Sequence, residues 1–171
     1  MESLVVMGVA GCGKSSVGRA VAAALGWPLL EGDDFHSEAN RSKMRSGVAL
    51  TDADRAEWLD LLAHELVLHT SGVVLTCSAL KRSYRDRLRS ASPGLRFAWL
   101  DLSEISSLAR VAQRGAAHMF PPSLVASQFK ALEPPTGEHG VLRLDALASL
   151  DSLCQDVMTW LGAAGVRPAR A

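Results

Sequence analysis

Cysteine is scarce in this sequence, which contains only Cys12, Cys77 and Cys154 among 171 residues. Their number is odd, they lie far apart, and no C-x-x-C spacing occurs. This pattern argues against both a disulfide framework and a cysteine zinc site. We therefore expect reduced thiols, as in a cytoplasmic protein.

The sequence also lacks an excess of charge, because 18 Lys and Arg residues balance 18 Asp and Glu residues. Without a basic surplus, nucleic acid is not expected as a partner. No apolar run approaches the length of a membrane span, and the N-terminus has neither a basic n-region nor a small-residue cleavage site. We predict a cytoplasmic chain with no membrane contact, acting on a small molecule.

The most informative segment runs from residue 8 to residue 15 and fits the pattern G-x-x-x-x-G-K-[ST] without a mismatch. An apolar run before it predicts a buried strand, and Val17, Val21 and Leu25 predict one face of a helix after it. In this arrangement the loop N–H groups and the helix dipole bind phosphate. Lys14 is expected to reach the β- and γ-phosphates, and the Ser15 hydroxyl to bind Mg²⁺. The predicted nucleotide-binding residues are Gly8, Val9, Ala10, Gly11, Cys12, Gly13, Lys14, Ser15 and Ser16, with Arg110 and Arg114 from a later helix.

Carboxylates follow a second short apolar run, Pro28-Leu29-Leu30, in the segment Glu31-Gly32-Asp33-Asp34-Phe35-His36. Ligands of open α/β sheets bind beyond the carboxyl ends of the strands, so these acids are expected to face the same crevice as the phosphate loop. An acidic surface turn is the alternative interpretation. Three acids and a histidine within six residues favour a site.

Two helices are predicted next, one capped by Ser37 and ending before Gly47, and a longer one capped by Thr51. The longer helix carries Arg55 and Trp58 in its first turns, for which a surface charge and core packing are the alternatives to a role in binding. The run Val73–Cys77 predicts a third strand, and Lys81 lies just beyond its end. The arginine-rich helix that follows is interpreted as a solvated face.

A lid is predicted in the second half of the chain, after a fourth strand at Phe97–Leu100. Arg110 and Arg114 lie four apart on one helical face, ahead of a glycine, small residues and a double proline. Over a bound nucleotide, such a segment would bring arginines to the phosphates and exclude water. A plain surface helix end is the alternative. Another helix, a fifth strand at Val141–Asp145 and an amphipathic last helix complete the prediction.

Alternating strands and helices predict an α/β fold with a parallel sheet covered on both faces. One domain is expected over residues 1–162, with its lid at roughly 114–132 and a disordered tail at 163–171 that has no apolar anchor. The guanine-reading N-K-x-D motif of a GTPase is absent, since Asn40 is the only asparagine and precedes Arg41. A small-molecule kinase accounts for the remaining features.

Several further motifs resemble those of the gluconokinase family, whose members are small P-loop kinases. The match covers nearly the whole chain before the tail, and its family-specific segments are Cys77-Ser78-Ala79-Leu80-Lys81 and Ser127-Gln128-Phe129 with Leu132-Glu133-Pro134. The resemblance implies phosphorylation of D-gluconate on its 6-hydroxyl with ATP and Mg²⁺, giving 6-phospho-D-gluconate. It also implies a P-loop three-layer sandwich with a five-stranded parallel sheet of the nucleoside-monophosphate-kinase type, and a cytoplasmic homodimer.

Three positions depart from the family pattern. Glu31 stands where the family usually has Asp, Ala49 where it usually has Pro, and three residues rather than two separate Arg114 from His118. The resemblance implies that the carboxylate at position 31 holds Mg²⁺ through water. Glu31 places that carboxylate one methylene further from the backbone than Asp would. The altered spacing concerns the contacts of the lid.

The expected roles follow from the chemistry of phosphoryl transfer, which needs a stabilised γ-phosphoryl group and an aligned hydroxyl. Lys14 and Arg114 are expected to stabilise charge, and Asp33 to hold the acceptor hydroxyl and take its proton. Arg55 is the first candidate for the gluconate carboxylate and Lys81 the second. The candidates for the sugar hydroxyls are His36 and Gln128.

Two alternatives stay open at this point: a shikimate-kinase-like or other small hydroxy-acid kinase of the same fold, and a regulator that binds ATP without transferring phosphate. One further expectation concerns Cys12, which lies inside the phosphate loop. The field that attracts phosphate favours thiolate there, so Cys12 is predicted to be the most reactive of the three cysteines, provided that its sulfur is not turned into the core, where Cys77 and Cys154 are expected.

Overall fold

The computed structural model describes residues 2–113 and 120–166. Its centre is a sheet of five parallel strands in the order β2-β3-β1-β4-β5. The strands are β1 (Leu4–Met7), β2 (Leu29–Glu31), β3 (Val74–Cys77), β4 (Arg96–Asp101) and β5 (Val141–Asp145). The predicted α/β class and the five-stranded parallel sheet are therefore confirmed.

Helices connect the strands, as parallel pairing requires. They are α1 (Lys14–Leu25), α2 (Glu38–Arg45), α3 (Asp52–Leu68), α4 (Arg82–Ala91), α5 (Glu104–Gln113), α6 (Val125–Ala131) and α7 (Leu150–Ala163). Two short 3₁₀ turns, Gly32–Phe35 and Pro122–Leu124, follow β2 and precede α6. No helix in the described part of the chain is long and apolar enough to cross a membrane.

The predicted caps begin and end these helices. The Ser37 hydroxyl accepts from the Asn40 amide at the start of α2, and Thr51 forms a reciprocal capping box with Asp54 at the start of α3. Each bond satisfies amides that lack a partner inside the helix. Gly26 ends α1 in a left-handed conformation that glycine adopts without steric cost.

The core lies on both faces of the sheet, because successive strand residues point to opposite sides. Leu4 and Val6 of β1 pack in one apolar cluster with α1 and α7. Val5 and Met7 pack in a second cluster with α3 and α4. This alternation gives the three-layer sandwich that the sequence predicts.

Gly32 sets the distance between β2 and β3. A Cβ atom at this position would lie 2.2 Å from the Thr76 carbonyl oxygen, which is too close for any side chain. The Gly32 amide donates to the Thr76 hydroxyl instead, at 3.3 Å. Because glycine allows this contact, the acidic segment that follows β2 lies against the end of β3.

The interpretation of α4 as a solvated face does not hold for Arg85 and Arg89, which both pair with Glu138. Arg82 and Arg87 are exposed, but the Arg85 side chain is 0% exposed and pairs with Glu138. Burial alone would raise the pKa of Glu138, but hydrogen bonds from Arg85 and Arg89 leave that pKa below its ordinary value. A charge run indicates a solvated face only when no buried carboxylate is available to pair with it.

The expected reactivity of Cys12 is also contradicted. Its side chain is 1% exposed and packs in the core beneath the loop, so the sulfur does not face the phosphate site. Burial raises the pKa of Cys77 to about 12. Cys154 is the most exposed of the three, although burial and Asp151 raise its pKa too.

The predicted lid is described only in part, and the predicted tail begins before the ordered structure ends. Within 114–132, residues 120–132 include α6, while 114–119 lie outside the described residues. Helix α7 continues to Ala163, and Val166 is buried in the core with its amide bonded to the Leu161 carbonyl. Ordered structure thus passes the predicted boundary at 162, since Val166 is the apolar anchor that the sequence analysis did not count.

Candidate active site

A cleft of about 390 Å³ opens beyond the carboxyl ends of β1, β2 and β3. One side is the phosphate loop with Lys14, Ser15 and Ser16. The opposite side carries polar groups from the segments after β2 and β3 and from α3. They are Asp33, His36, Arg55, Trp58 and Ser78. The crevice predicted for a parallel sheet is therefore present, and it contains most of the predicted site residues.

The phosphate loop owes its shape to three glycines with positive φ. Gly8, Gly11 and Gly13 have φ values of 143°, 78° and 98°. Gly13 is also the N-cap of α1, so the first amides of this helix face the cleft without a side-chain cap. The Lys14 ammonium donates to the carbonyl oxygens of Gly8 and Val9, at 3.1 and 3.0 Å. The loop thus presents amides and one cation to an anion.

A chain of hydrogen bonds joins α1 to the ends of β2 and β3. The Ser15 hydroxyl donates to Glu31 Oε2 at 2.9 Å, and the Thr76 hydroxyl donates to the same oxygen at 2.6 Å. Thr76 also accepts from the Gly32 amide. The longer Glu31 side chain is therefore held against Ser15 by Thr76, a residue that sequence analysis did not single out.

Helices α5 and α6 pack against the phosphate loop and bond to its backbone. Ser107 donates to the Ala10 carbonyl at 2.7 Å, and Arg110 donates to the Gly11 carbonyl at 3.3 Å. Gln128 accepts from the Ala10 amide at 2.6 Å. Gln128 lines the cleft, but its contact is with the nucleotide side. Arg114 and His118 lie outside the described residues.

His36 is held as a neutral imidazole against Trp58. The two rings stack with centroids 4.4 Å apart and an interplanar angle of 14°, and the Trp58 indole N–H donates to the Gly32 carbonyl at 2.7 Å. Burial lowers the pKa of His36 to about 4, opposed by the nearby Asp33 carboxylate and reinforced by Arg55 and Arg41. Its Nδ1 atom is buried with no hydrogen-bond partner among the described residues. The ring lines the cleft, and a neutral imidazole can both donate to and accept from a hydroxyl group.

The depressed pKa of His36 predicts a pH dependence of stability. Between its ordinary value of 6.5 and the folded value of about 4, the unfolded chain takes up a proton that the folded protein excludes. The free energy of unfolding should therefore decrease as the pH is lowered through this window, by at most about 1.4 kcal/mol per pH unit. Denaturant unfolding at pH 7 and pH 5 measures the effect. The His36→Gln variant should lose this part of the slope, whereas the exposed His139→Gln control should keep it. Equal slopes in all three proteins would contradict the assignment.

Arg55 and Lys81 are placed differently by the structure. Arg55 is half-buried and lines the cleft, where one guanidinium nitrogen donates to the Leu50 carbonyl at 2.5 Å. Lys81 donates to both oxygens of Asp52, at 2.8 and 2.7 Å, and is not part of the cleft wall. The hydrogen bond from Lys81 and a second one from Tyr84 lower the pKa of Asp52. Of the two candidates for an acceptor carboxylate, only Arg55 faces the cavity.

An apolar contact closes the outer end of the cleft. Met44, Leu50 and Leu124 form a small buried cluster against which Phe120 packs, and three of these four residues also line the cleft. The cluster joins α2 to the 3₁₀ turn before α6. This cluster could not be predicted from the sequence, because isolated apolar residues in short helices and turns show no periodic pattern.

Comparison with known proteins adds a family to this geometry. A family model described as an AAA domain matches residues 4–135, and the chain is a member of that family. The gluconokinase of Gluconobacter oxydans (strain 621H) is 44% identical over 158 residues, which cover 91% of this chain and 88% of the relative. A gluconokinase structure from Sinorhizobium meliloti 1021 is similar with a TM-score of 0.87 and 43% identity, covering 95% of this chain and 93% of the other.

The chain belongs to the gluconokinase family. The resemblance based on sequence motifs is thereby confirmed, and the chain is a kinase of the P-loop class. The shikimate kinase of Aquifex aeolicus is also similar in structure, with a TM-score of 0.60 over 95% of this chain and 98% of the other. At 14% identity, that similarity shows a shared fold and nothing about the acceptor.

Proposed function

We propose that this protein transfers the γ-phosphoryl group of ATP to the 6-hydroxyl of D-gluconate, giving 6-phospho-D-gluconate. The observation that carries the proposal is that one cleft brings together the phosphate loop, the Asp33 carboxylate and the Arg55 guanidinium. A phosphate site, a base and a cation are what the transfer of phosphate to an anionic hydroxy acid needs. The acceptor is proposed to be gluconate because the chain belongs to the gluconokinase family.

On the nucleotide side, the loop amides would bind the β- and γ-phosphates. Lys14 would exchange its bonds to the Gly8 and Val9 carbonyls for bonds to phosphate oxygens. Arg110 and Gln128 bond to the loop backbone, and Arg114 is proposed to add a second cation from the lid. Positive charge around the transferred group stabilises the transition state, which carries most of its charge on the equatorial oxygens.

The residues beside the loop fit a magnesium ion. Mg²⁺ prefers oxygen ligands and keeps several of its waters, so it is bound by few protein groups together with substrate phosphates. Ser15 and Glu31 supply a hydroxyl and a carboxylate 2.9 Å apart, and Thr76 holds that carboxylate in place. We propose that Ser15 binds the ion directly and Glu31 through water. When bound, the ion would neutralise charge on the β- and γ-phosphates.

On the acceptor side, Asp33 is the proposed base. It is exposed in the cleft, within the 3₁₀ turn that Gly32 and Trp58 anchor to β3 and α3. There it would orient the 6-hydroxyl toward the γ-phosphorus and accept its proton as the new P–O bond forms. Arg55 would bind the carboxylate of gluconate, and His36 a sugar hydroxyl. Lys81 is not assigned to the acceptor, because it pairs with Asp52 outside the cleft.

The experiment that tests the function is a coupled assay of ADP release with gluconate, with shikimate and with no acceptor. ADP release that depends on gluconate, with phosphogluconate as the product, is the expected result. Turnover with shikimate alone would show a different hydroxy-acid kinase of the same fold. Nucleotide binding without turnover on any acceptor would show a regulator.

The role of Arg55 predicts a selective defect in the Arg55→Lys variant. A bidentate contact with a carboxylate becomes a point charge, so the KM for gluconate should rise by about tenfold or more while the KM for ATP changes little. Arg87→Lys is the matched control, because Arg87 pairs with Asp60 on the surface outside the cleft. Equal increases in both KM values would indicate a general structural defect instead.

A homodimer is proposed from the family resemblance. A cytoplasmic location is proposed from the same resemblance and from the free cysteines, which are unpaired among the described residues. Sedimentation equilibrium of the purified protein tests the assembly.

A further inference from the structure

Arg85 is the largest fully buried side chain among the described residues, although it carries a charge. All five of its N–H donors are used. Two donate to Glu138, at 3.0 and 2.5 Å, and the others to the carbonyl oxygens of Ala79, Leu80 and Glu133, at 2.8, 3.0 and 3.0 Å. Arg85 therefore joins the turn after β3 to two positions in the segment between α6 and β5.

The turn after β3 contains the one non-glycine residue with positive φ in the described chain. Ala79 has φ 44°, a left-handed conformation that side chains with a Cβ atom rarely adopt. Its carbonyl oxygen accepts from Arg85, and the next carbonyl, of Leu80, accepts from both Arg85 and the Glu133 amide. A strained backbone persists only where its surroundings hold it, and here the guanidinium does so.

The strained turn presents Ser78 to the cleft. Ser78 directly precedes Ala79 and lines the cavity with Asp33 and Arg55 on the acceptor side. Ala79 and Leu80 are buried beneath it. A change of the backbone angle at Ala79 is therefore expected to move Ser78 relative to a bound acceptor.

Stability alone does not account for a buried guanidinium. Taking an ion pair out of water costs free energy that apolar residues of similar volume would not cost. Planar donors that bind three separate carbonyls are instead a device for holding a backbone shape, since the donors have a rigid arrangement. The Arg85 side chain does not line the cleft, so any effect it has on the reaction passes through the groups that it binds, which include two carbonyls of the turn.

We propose that Arg85 is a positioning residue for the acceptor: it holds the left-handed turn at Ala79 and thereby places the Ser78 hydroxyl against a hydroxyl of the bound hydroxy acid. The proposal rests on the proposed function, because it concerns the acceptor of the same reaction. It goes beyond that function by assigning Ser78 to the acceptor and Arg85 to the shape of the turn.

The test measures KM and kcat for both substrates in Ser78→Ala, Arg85→Lys and the double variant Ala79→Gly/Arg85→Lys. Arg85→Lys should raise the KM for the acceptor by about tenfold and that for ATP by less than about twofold. Glycine adopts the left-handed conformation unaided, so Ala79→Gly should restore at least about half of this loss on a logarithmic scale. Arg82→Lys, an exposed change on the same helix, is the matched control.

If Ala79→Gly restores the acceptor KM of Arg85→Lys, then Arg85 acts through the shape of the turn. Removing the Ala79 methyl group restores none of the hydrogen bonds that Arg85 made, so general structural support would not be rescued. Ser78→Ala keeps the buried network, so it tests the proposal even if Arg85→Lys fails to fold. An unchanged acceptor KM in Ser78→Ala, or no rescue in a folded double variant, would overturn the proposal. The wild-type assay is read first, with gluconate and then shikimate. If the wild-type protein turns over shikimate but not gluconate, the proposed acceptor is refuted, and the KM values of the variants are then compared with shikimate as the acceptor. If it turns over neither compound, there is no acceptor to position, and both the proposed function and the positioning role of Arg85 are refuted.

Discussion

Asp33→Asn should leave nucleotide binding intact and reduce gluconate-dependent turnover by about 10²–10⁴-fold, the usual loss for a general base. The asparagine amide keeps the size of the side chain but cannot accept the proton of the 6-hydroxyl. Asp33 is exposed in the cleft, and the turn that carries it is held through the backbone of Gly32. The substitution should therefore change the chemistry without moving the turn.

The matched control is Asp34→Asn, which makes the same change one residue further along the same turn. Asp34 is also exposed, but it is not part of the cleft wall. Steady-state kcat for both variants, with ATP binding by calorimetry, gives the comparison. A folded Asp33→Asn protein with near-normal kcat would remove Asp33 from the role of base. A similar loss in both variants would point to the net charge of the turn rather than to proton transfer.

The nucleotide half of the site could be predicted from sequence because it is encoded in one continuous segment. Backbone amides bind the phosphate, so the pattern of glycines from residue 8 to residue 13, followed by Lys14 and Ser15, describes the geometry directly. The strands could be predicted for a similar reason, since short β-branched runs with turn residues between them are local signals. The order of the strands follows from the fold class.

The acceptor half could be predicted only in part because its contacts join distant segments. In the sequence, Arg55 and Lys81 are both cations without an obvious partner. Lys81 differs from Arg55 because it pairs with Asp52, which lies 29 residues before it in the chain. Thr76 reaches Glu31 across 45 positions, and Arg85 reaches Glu138 across 53. No local pattern predicts such pairs. The orientation of Cys12 was missed because residues of one loop divide between the cleft and the core without a regular pattern.

Lys14→Gln is expected to reduce kcat by about 10²–10³-fold, the typical cost of removing one donor that stabilises transition-state charge. Glutamine is chosen because its amide can still donate to the Gly8 or Val9 carbonyl, so the shape of the empty loop should survive. What it removes is the positive charge that would meet the β- and γ-phosphates. The affinity for ATP should fall by less than kcat, since the loop amides and the start of α1 still bind phosphate.

Lys130→Gln is the control, because Lys130 is exposed on α6 and is not part of the cleft wall. Thermal unfolding of both variants checks that the loop remains folded, and kcat is then compared at saturating ATP and gluconate. If Lys14→Gln keeps kcat within about threefold, the charge needed for transfer must come from other cations, and Arg110 or Arg114 would take over that role. If kcat falls while the melting temperature is unchanged, Lys14 acts on the transferring phosphoryl group itself, since its contribution to the empty loop has been preserved.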